Sequence, residues 1–123
     1  MQWMVSTLFP MSKSKTTIYL ADITHTGGGI ASNVMPLGIG LLAAYLLEYA
    51  SNEIDIELFK YPDDLDHSLS RQIPQIIGFA NYSWNLNLSY KFATRIKEIA
   101  PNTVVVFGGP NYGLTEPEME TFW

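Results

Sequence analysis

Three segments of this sequence carry the side chains that are able to bind a ligand or react with one, and each follows an apolar run. The first loop, Asp22 to Gly29, combines a carboxylate, an imidazole and hydroxyls with three successive glycines. The aromatic loop, Asn81 to Asn85, places two aromatic rings among three hydrogen-bonding side chains. The glycine loop, Gly108 to Asn111, pairs two glycines with a proline and an amide. Such segments are typical of binding rims, because glycine lets a backbone turn sharply and approach a ligand closely.

The first loop matches no standard phosphate or metal site. Its glycines are contiguous and no Gly-Lys-Ser/Thr follows them, so it fits neither the dinucleotide fingerprint nor the P-loop. One carboxylate and one histidine do not fill a metal coordination sphere. Two interpretations stay open: a plain flexible loop, or a loop that lies over a large ligand and binds it through backbone amides and hydroxyls.

The aromatic loop also has two interpretations. Aromatic faces with a few placed polar groups suit a flat, partly polar ligand. Alternatively, Tyr82 and Trp84 pack against the surface of a neighbouring domain. His25 is interpreted as a loop histidine rather than a catalyst, and His67 lies among surface-type residues of the second predicted helix with no evident partner. No nucleophile with a base is recognisable. We therefore predict no catalytic residue and no metal ligand in this chain.

Strand-like and helical patterns alternate along the chain and predict a mostly parallel sheet with helices on both faces. The run Thr103–Phe107 is β-branched and apolar on both faces, which predicts a central strand. In open parallel sheets, ligands bind beyond the carboxyl ends of the strands, where all three loops would then lie. The predicted strands are Thr16–Ala21, Asp55–Phe59 (a half-buried or edge strand), Ile76–Ala80 and Thr103–Phe107. The predicted helices are Leu37–Leu47, a short helix through Gln72 with Asp63 or Asp64 as its cap, and Leu86–Ala100.

The sequence also makes predictions about the two ends of the chain. Met1 to Lys15 is predicted to be a flexible N-terminal extension, and residues 16–123 to be the domain. A last helix is expected from Glu116 to Trp123, with the chain ending before a fifth strand. We therefore expect the front part of a longer protein. The apolar patch in the first residues lacks a preceding charge, which argues against a signal peptide and favours the cytoplasm.

Composition excludes several classes of function. With a formal net charge of -5 and seven Lys and Arg residues, the chain lacks the basic stripe that nucleic-acid binding needs. The absence of cysteine excludes disulfides, thiolate metal sites and cysteine-bound iron–sulfur clusters within it. Its most apolar window, Leu37–Tyr49, is shorter than the ~20 residues that span a bilayer, so no membrane partner is expected.

The order of three motifs resembles a known family. Pro36-Leu37-Gly38-Ile39-Gly40-Leu41-Leu42-Ala43-Ala44-Tyr45-Leu46 is followed by Ile76-Ile77-Gly78-Phe79-Ala80-Asn81-Tyr82-Ser83-Trp84-Asn85 and then by Val104-Val105-Val106-Phe107-Gly108-Gly109-Pro110. In this order and spacing the chain, from Thr16 onward, resembles the N-terminal cobalamin-binding-type domain of radical S-adenosylmethionine (SAM) enzymes.

The resemblance implies a flavodoxin-like (Rossmann-type) three-layer α/β domain that holds cobalamin along the carboxyl ends of its strands. The nucleotide tail of cobalamin would run into a groove beside the sheet. A radical SAM catalytic domain or subunit would be the partner and would carry the 4Fe-4S cluster and S-adenosylmethionine. The cofactor contacts that the resemblance implies are Asp22, Thr24, His25, Thr26, Gly27, Gly28, Asn81, Tyr82, Ser83, Trp84, Asn85, Gly108, Gly109, Pro110 and Asn111.

The sequence departs from one motif of related domains. Mutase-type domains use D-x-H-x-x-G, in which the histidine ligates cobalt; here Thr24 holds that position and His25 is displaced by one residue. The role of cobalt ligand is therefore not assigned to His25.

In a second hypothesis, the domain keeps the fold but does not bind the cofactor, and it serves as a substrate-recognition or docking module. Bulky Tyr82, Trp84 or Tyr112 in the corrinoid space would favour that hypothesis, and an open groove would favour cobalamin. A receiver-type signalling domain fits poorly, because Asn81 stands where its phosphorylated aspartate would follow the third strand.

Overall fold

The computed structural model of the chain describes residues 14–25 and 35–110. Strands and helices alternate through these residues, as the sequence predicts. The strands are β1 (Thr16–Ala21), β2 (Ile54–Phe59), β3 (Ile76–Ala80) and β4 (Val104–Gly108). The helices are α1 (Leu37–Ala50), α2 (Pro62–Arg71) and α3 (Leu86–Ile99).

All four described strands are parallel, in the order β2-β1-β3-β4. Ala21, at the end of β1, lies opposite Phe59 of β2 and Phe79 of β3. The carboxyl ends are therefore nearly flush, and the loops after β1, β3 and β4 meet at one edge of the sheet. The predicted flavodoxin-like α/β fold is confirmed.

Each face of the sheet has its own core. On one face, Tyr19, Ile77 and Phe79 pack with Leu65 of α2 and Ile96 of α3. On the opposite face, the smaller cluster consists of Ile18, Leu20, Ile39 and Ala43. Burying such side chains stabilises the domain by roughly 1.5–3 kcal/mol for each large aliphatic or aromatic residue. The two clusters explain why the helices lie on both faces.

The position of β4 differs from the prediction. The apolar run predicts a central strand, but β4 forms one edge of the sheet made by the described residues. Val104 is 53% exposed and Val106 is 49% exposed. The reason is that α1 packs on β1 and β2, which leaves the same face of β3 and β4 without a covering helix among the described residues. The run beginning at Asp55, expected to be a half-buried or edge strand, forms β2 at the opposite edge of the described sheet.

The second helix begins at a proline. The predicted cap at Asp63 or Asp64 is wrong: Tyr61 occupies the N-cap position and Pro62 is the first helical residue. Proline is favoured there because its fixed φ suits the helix and its missing N–H would have had no partner. The two aspartates instead lie in the first turn, where they complement the helix dipole.

Parts of the predicted chain lie outside the described residues. These are the N-terminal extension up to residue 13, Tyr112 and the helix expected at 116–123. Within residues 14–25 and 35–110, no helix has the length and apolar character needed to span a bilayer.

Candidate functional site

The structure brings the three predicted loops together at the carboxyl edge of the sheet. The ring Nε2–H of His25, in the first loop, donates to the carbonyl oxygen of Trp84 at 2.5 Å. The amide N–H of Asn81 donates to the carbonyl oxygen of Gly108 at 2.6 Å, which joins the aromatic loop to the glycine loop. The three loops therefore form one continuous rim. Of the predicted contacts, Thr26, Gly27, Gly28 and Asn111 lie outside the described residues.

Asn85 is the buried link between the first loop and the aromatic loop. Its side-chain N–H donates to the carbonyl oxygen of Ile23 at 3.1 Å, and its side-chain oxygen accepts from the amide N–H of Tyr82 at 2.9 Å. Asn81 and Asn85 are both fully buried. In this structure their side chains lie within the rim, whereas Ser83 and Trp84 are exposed on its surface.

Gly109 lets the glycine loop pass very close to the aromatic loop. Its φ is +119°, and a β-carbon at this position would lie 2.8 Å from the carbonyl oxygen of Asn81. Any side chain would therefore be strained and would collide with backbone. Gly108, Gly109 and Pro110 are all exposed at the rim.

Two aromatic rings stack at the rim. The rings of Tyr82 and Trp84 are 4.5 Å apart between centroids and nearly parallel, at 6°. Tyr82 is half-buried and lines the groove described below, whereas the indole of Trp84 is 59% exposed. The pair therefore forms a flat wall with the indole on its solvent side.

An apolar groove of about 500 Å³ opens beside this rim. It lies between α1 and the part of the sheet that α1 leaves uncovered. Leu42 and Leu46 of α1 form one wall, and Gly78 and Val106 of the sheet form the floor. Gly38 also lines the groove, and a β-carbon there would meet no atom within 4 Å, so the space beside it is open.

The mouth of the groove carries one carboxylate. Asp22 directly follows β1 and lines the groove together with Tyr82 and Gly109. Its amide N–H donates to the carbonyl oxygen of Phe59 at 2.9 Å, which holds the start of the first loop against the end of β2. Burial raises the pKa of the Asp22 carboxyl above its ordinary value of 3.8, and the nearby Lys60 ammonium opposes that rise. An acid in this setting can accept a hydrogen bond from an amide or, when protonated, donate one.

The histidines remain apart from any cluster of ligands. Among the described residues, no group of three His, Asp or Glu side chains is placed to hold a metal ion. His25 uses Nε2 as a donor to a carbonyl oxygen, because that oxygen can only accept. His67 is exposed on α2. His25 therefore connects two loops.

The groove residues are the part of the site that the sequence-based prediction missed. The sequence places Leu42 and Leu46 in a predicted helix and Val106 in a predicted central strand, and neither pattern indicates a groove. One signal was available: α1 is apolar nearly all round, and a helix of this kind has more apolar surface than one sheet contact can bury. Which of its stripes faces a groove depends on the order of the strands.

Comparison with known proteins agrees with this geometry. A search of curated proteins finds no match. The family model described as the B12 binding domain matches residues 24–121, which is most of the 123-residue chain. The matched range includes α1, the aromatic loop, the glycine loop and most of the groove lining, but not Ile18, Leu20 and Asp22. The chain belongs to the B12-binding domain family.

Proposed function

We propose that this domain binds cobalamin and presents it to a radical SAM catalytic domain or subunit. The cobalamin-binding part of this proposal is supported by the open apolar groove that begins at the rim formed by the three loops. A large flat cofactor with an appended tail needs both a rim for its ring and a depression for its tail. This chain has the two side by side.

The residues present fit such a cofactor. Gly38 and Gly108 line the groove, and a β-carbon at either position would meet no atom within 4 Å, so the chain keeps space there. Tyr82 and Trp84 stack on each other, which leaves the groove open. Asp22, the backbone of the glycine loop and the exposed Ser83 hydroxyl offer polar groups to amide side chains at the edge of a corrin ring.

The domain's own contribution is binding and orientation. Cobalamin, when bound, supplies a cobalt centre that carries alkyl groups in transfer reactions. The stacked Tyr82–Trp84 wall and the hydrogen bond between His25 and Trp84 hold the rim in one shape before a ligand arrives. A pre-formed rim reduces the conformational entropy that binding would otherwise cost.

The radical SAM half of the proposal is supported by the order and spacing of the three sequence motifs. This chain has no cysteine, so the C-x-x-x-C-x-x-C cluster site of such enzymes has to come from another domain or chain. Crosslinking in the source cells followed by mass spectrometry tests this half. The crosslinked sequence should carry that cysteine motif, and consistent recovery of partners without it would refute the assignment.

The cofactor half is tested by incubating purified protein with hydroxocobalamin, removing excess by gel filtration and recording the ultraviolet–visible spectrum. Corrin absorption should co-elute at close to one cofactor per chain. Circular dichroism on the same sample establishes whether the domain is folded. Folded, colourless protein would refute cobalamin binding.

A second candidate function is a cofactor-free docking module. It is favoured by the outer face of α1, where Leu37, Leu41, Tyr45 and Tyr49 are exposed at intervals of four residues. Exposed apolar stripes of this kind mark interaction surfaces. Folded protein that binds no corrinoid but binds its partner through this stripe would favour the docking function.

A further inference from the structure

The outer face of α1 is apolar, and the described residues leave most of it exposed. Its outer stripe consists of Leu37, Leu41, Tyr45 and Tyr49, which recur at intervals of four residues and are each between 61% and 70% exposed. Glu48 is the only charged residue in this 14-residue helix. A helix face that only water covers normally carries charged and polar residues. The outer stripe is therefore a surface that another apolar element can bury.

The chain enters the domain beside one end of this stripe. The amide N–H of Thr16, the first residue of β1, donates to the carbonyl oxygen of Glu53 at 2.8 Å. Glu53 lies only three residues after Ala50, the last residue of α1. Residues 1–13 therefore join the domain at the amino edge of the sheet, next to the last turn of α1, which carries Tyr49.

The first residues of the chain have the composition of such an apolar element. None of residues 1–12 is charged, and seven of the first eleven residues are apolar. The spacing typical of one helix face is followed by Met1, Met4, Val5, Leu8 and Phe9. An isolated helix of this length is marginal in water, so it needs a surface on which to pack.

This N-terminal segment is long enough to reach the outer stripe. Nine residues in a helix span about 14 Å, and the stripe from Leu41 to Tyr49 spans about 12 Å along α1. The six residues from Pro10 to Lys15 can extend over about 20 Å. That length covers the two layer spacings, roughly 10 Å each, between β1 and an element on the outer side of α1.

We propose that the N-terminal segment, residues 1–11, binds back onto the outer stripe of α1. Its apolar side chains and those of the stripe then leave water together, which is the main source of stabilisation for such a contact. The proposal does not depend on cobalamin binding, because none of the four stripe residues lines the groove. A partner that docks through the same stripe has to displace the segment first, so the segment limits access to this surface.

Thiol labelling of the full chain tests the proposal, because the sequence has no cysteine and an introduced cysteine reacts alone. Ala44→Cys places the thiol on the exposed side of α1, one residue before Tyr45. Its reaction with a maleimide should become at least about tenfold faster when Val5→Asp and Leu8→Asp are added, because the charges release the segment. A thiol at Lys91→Cys, exposed on α3 across the sheet, should react at the same rate in both backgrounds.

The matched control combines Ser6→Asp with Thr7→Asp. It adds the same two charges to the segment at positions outside the apolar spacing, so the thiol of Ala44→Cys should stay protected. No acceleration by the first pair of aspartates, or equal acceleration by both pairs, would overturn the proposal. Protection that is lost on dilution would show that a second copy of the chain covers the stripe, which would also overturn it.

A crosslink provides a second measurement that adds no charge to the segment. A short bismaleimide should join Val5→Cys to Ala44→Cys within one chain in dilute solution, and it should not join Val5→Cys to Lys91→Cys. The crosslinked peptides are identified by mass spectrometry after digestion. Equal yields for the two pairs, or no crosslink to Ala44→Cys, would overturn the proposal even if the aspartate variants fail to fold.

Discussion

A β-carbon on Gly109 would lie 2.8 Å from the carbonyl oxygen of Asn81, and the φ of Gly109 is +119°. The neighbouring Gly108 accepts a hydrogen bond at 2.6 Å from the amide of the same Asn81. Two successive loops of the parallel sheet are therefore in direct backbone contact at the rim. This contact explains the glycine at position 109, directly after β4, whereas Gly108 extends the pairing with β3 through its backbone.

Gly109→Ala should destabilise the domain, because it adds both a collision with backbone and an unfavourable φ. We expect a loss of about 1–3 kcal/mol in the free energy of unfolding, measured by urea denaturation. Gly108→Ala is the control, since a β-carbon there meets no atom within 4 Å and its φ is not positive. Equal losses in the two variants would show that the close approach to Asn81 is unimportant.

Filling the groove should weaken cofactor binding without destabilising the fold. Gly38→Leu adds a large side chain beside the open space and removes a helix-weakening glycine, so the helix should gain about 0.5–1 kcal/mol. Corrinoid affinity, measured by absorbance titration, should fall at least about tenfold because the space is taken. Gly40→Leu is a close match on the same helix: a β-carbon there also meets nothing within 4 Å, but Gly40 does not line the groove. Unchanged affinity in Gly38→Leu would mean that the cofactor does not use the groove.

Asn85→Ala should loosen the rim. It leaves the carbonyl oxygen of Ile23 and the amide of Tyr82 without their side-chain partner, at an expected cost of about 1–3 kcal/mol in the free energy of unfolding. Asn87→Ala serves as the control, because Asn87 is exposed on α3. Hydrogen exchange should also become faster at the amide of Tyr82 in the first variant, because this N–H loses its acceptor. Matching stabilities of the two variants would contradict the linking role of Asn85.

The raised pKa of Asp22 predicts a dependence of stability on pH. Burial makes the folded-state pKa higher than the value of 3.8 expected for the unfolded chain, so the folded protein binds this proton more tightly. The protonated Asp22 carboxyl therefore stabilises the folded protein below pH 3.8, and this contribution to the free energy of unfolding is lost as the pH rises through the folded-state pKa. Asp22→Asn removes this pH-dependent loss of stability, because an amide does not ionise. Its Tm relative to the wild type should therefore rise between about pH 3.5 and neutral pH in a thermal unfolding series. A Tm difference that stays constant or falls over this interval would contradict the assignment.

Much of the fold was predictable because its signals are local. A β-branched run that stops at Gly108 and Gly109 predicts a strand and a turn, and both are present. The pattern of apolar residues in α3 predicts a helix from Leu86 that packs through one stripe, and the structure ends this helix one residue before the predicted Ala100. The edge position of β4 was not predictable in this way, because a valine run looks the same whether a helix covers it or not.

The sequence by itself determined the order of strands and helices, and hence which loops follow the carboxyl ends of parallel strands. That order depends on side-chain periodicity, proline and glycine, which act over a few residues. Only the tertiary structure decided the site. It brings His25 to Trp84 and Ile23 to Asn85 across about sixty residues of chain. It also turns one stripe of an all-apolar helix toward β3 and β4 to make the groove. These contacts depend on the strand order β2-β1-β3-β4, which the whole chain sets by packing both faces of one sheet.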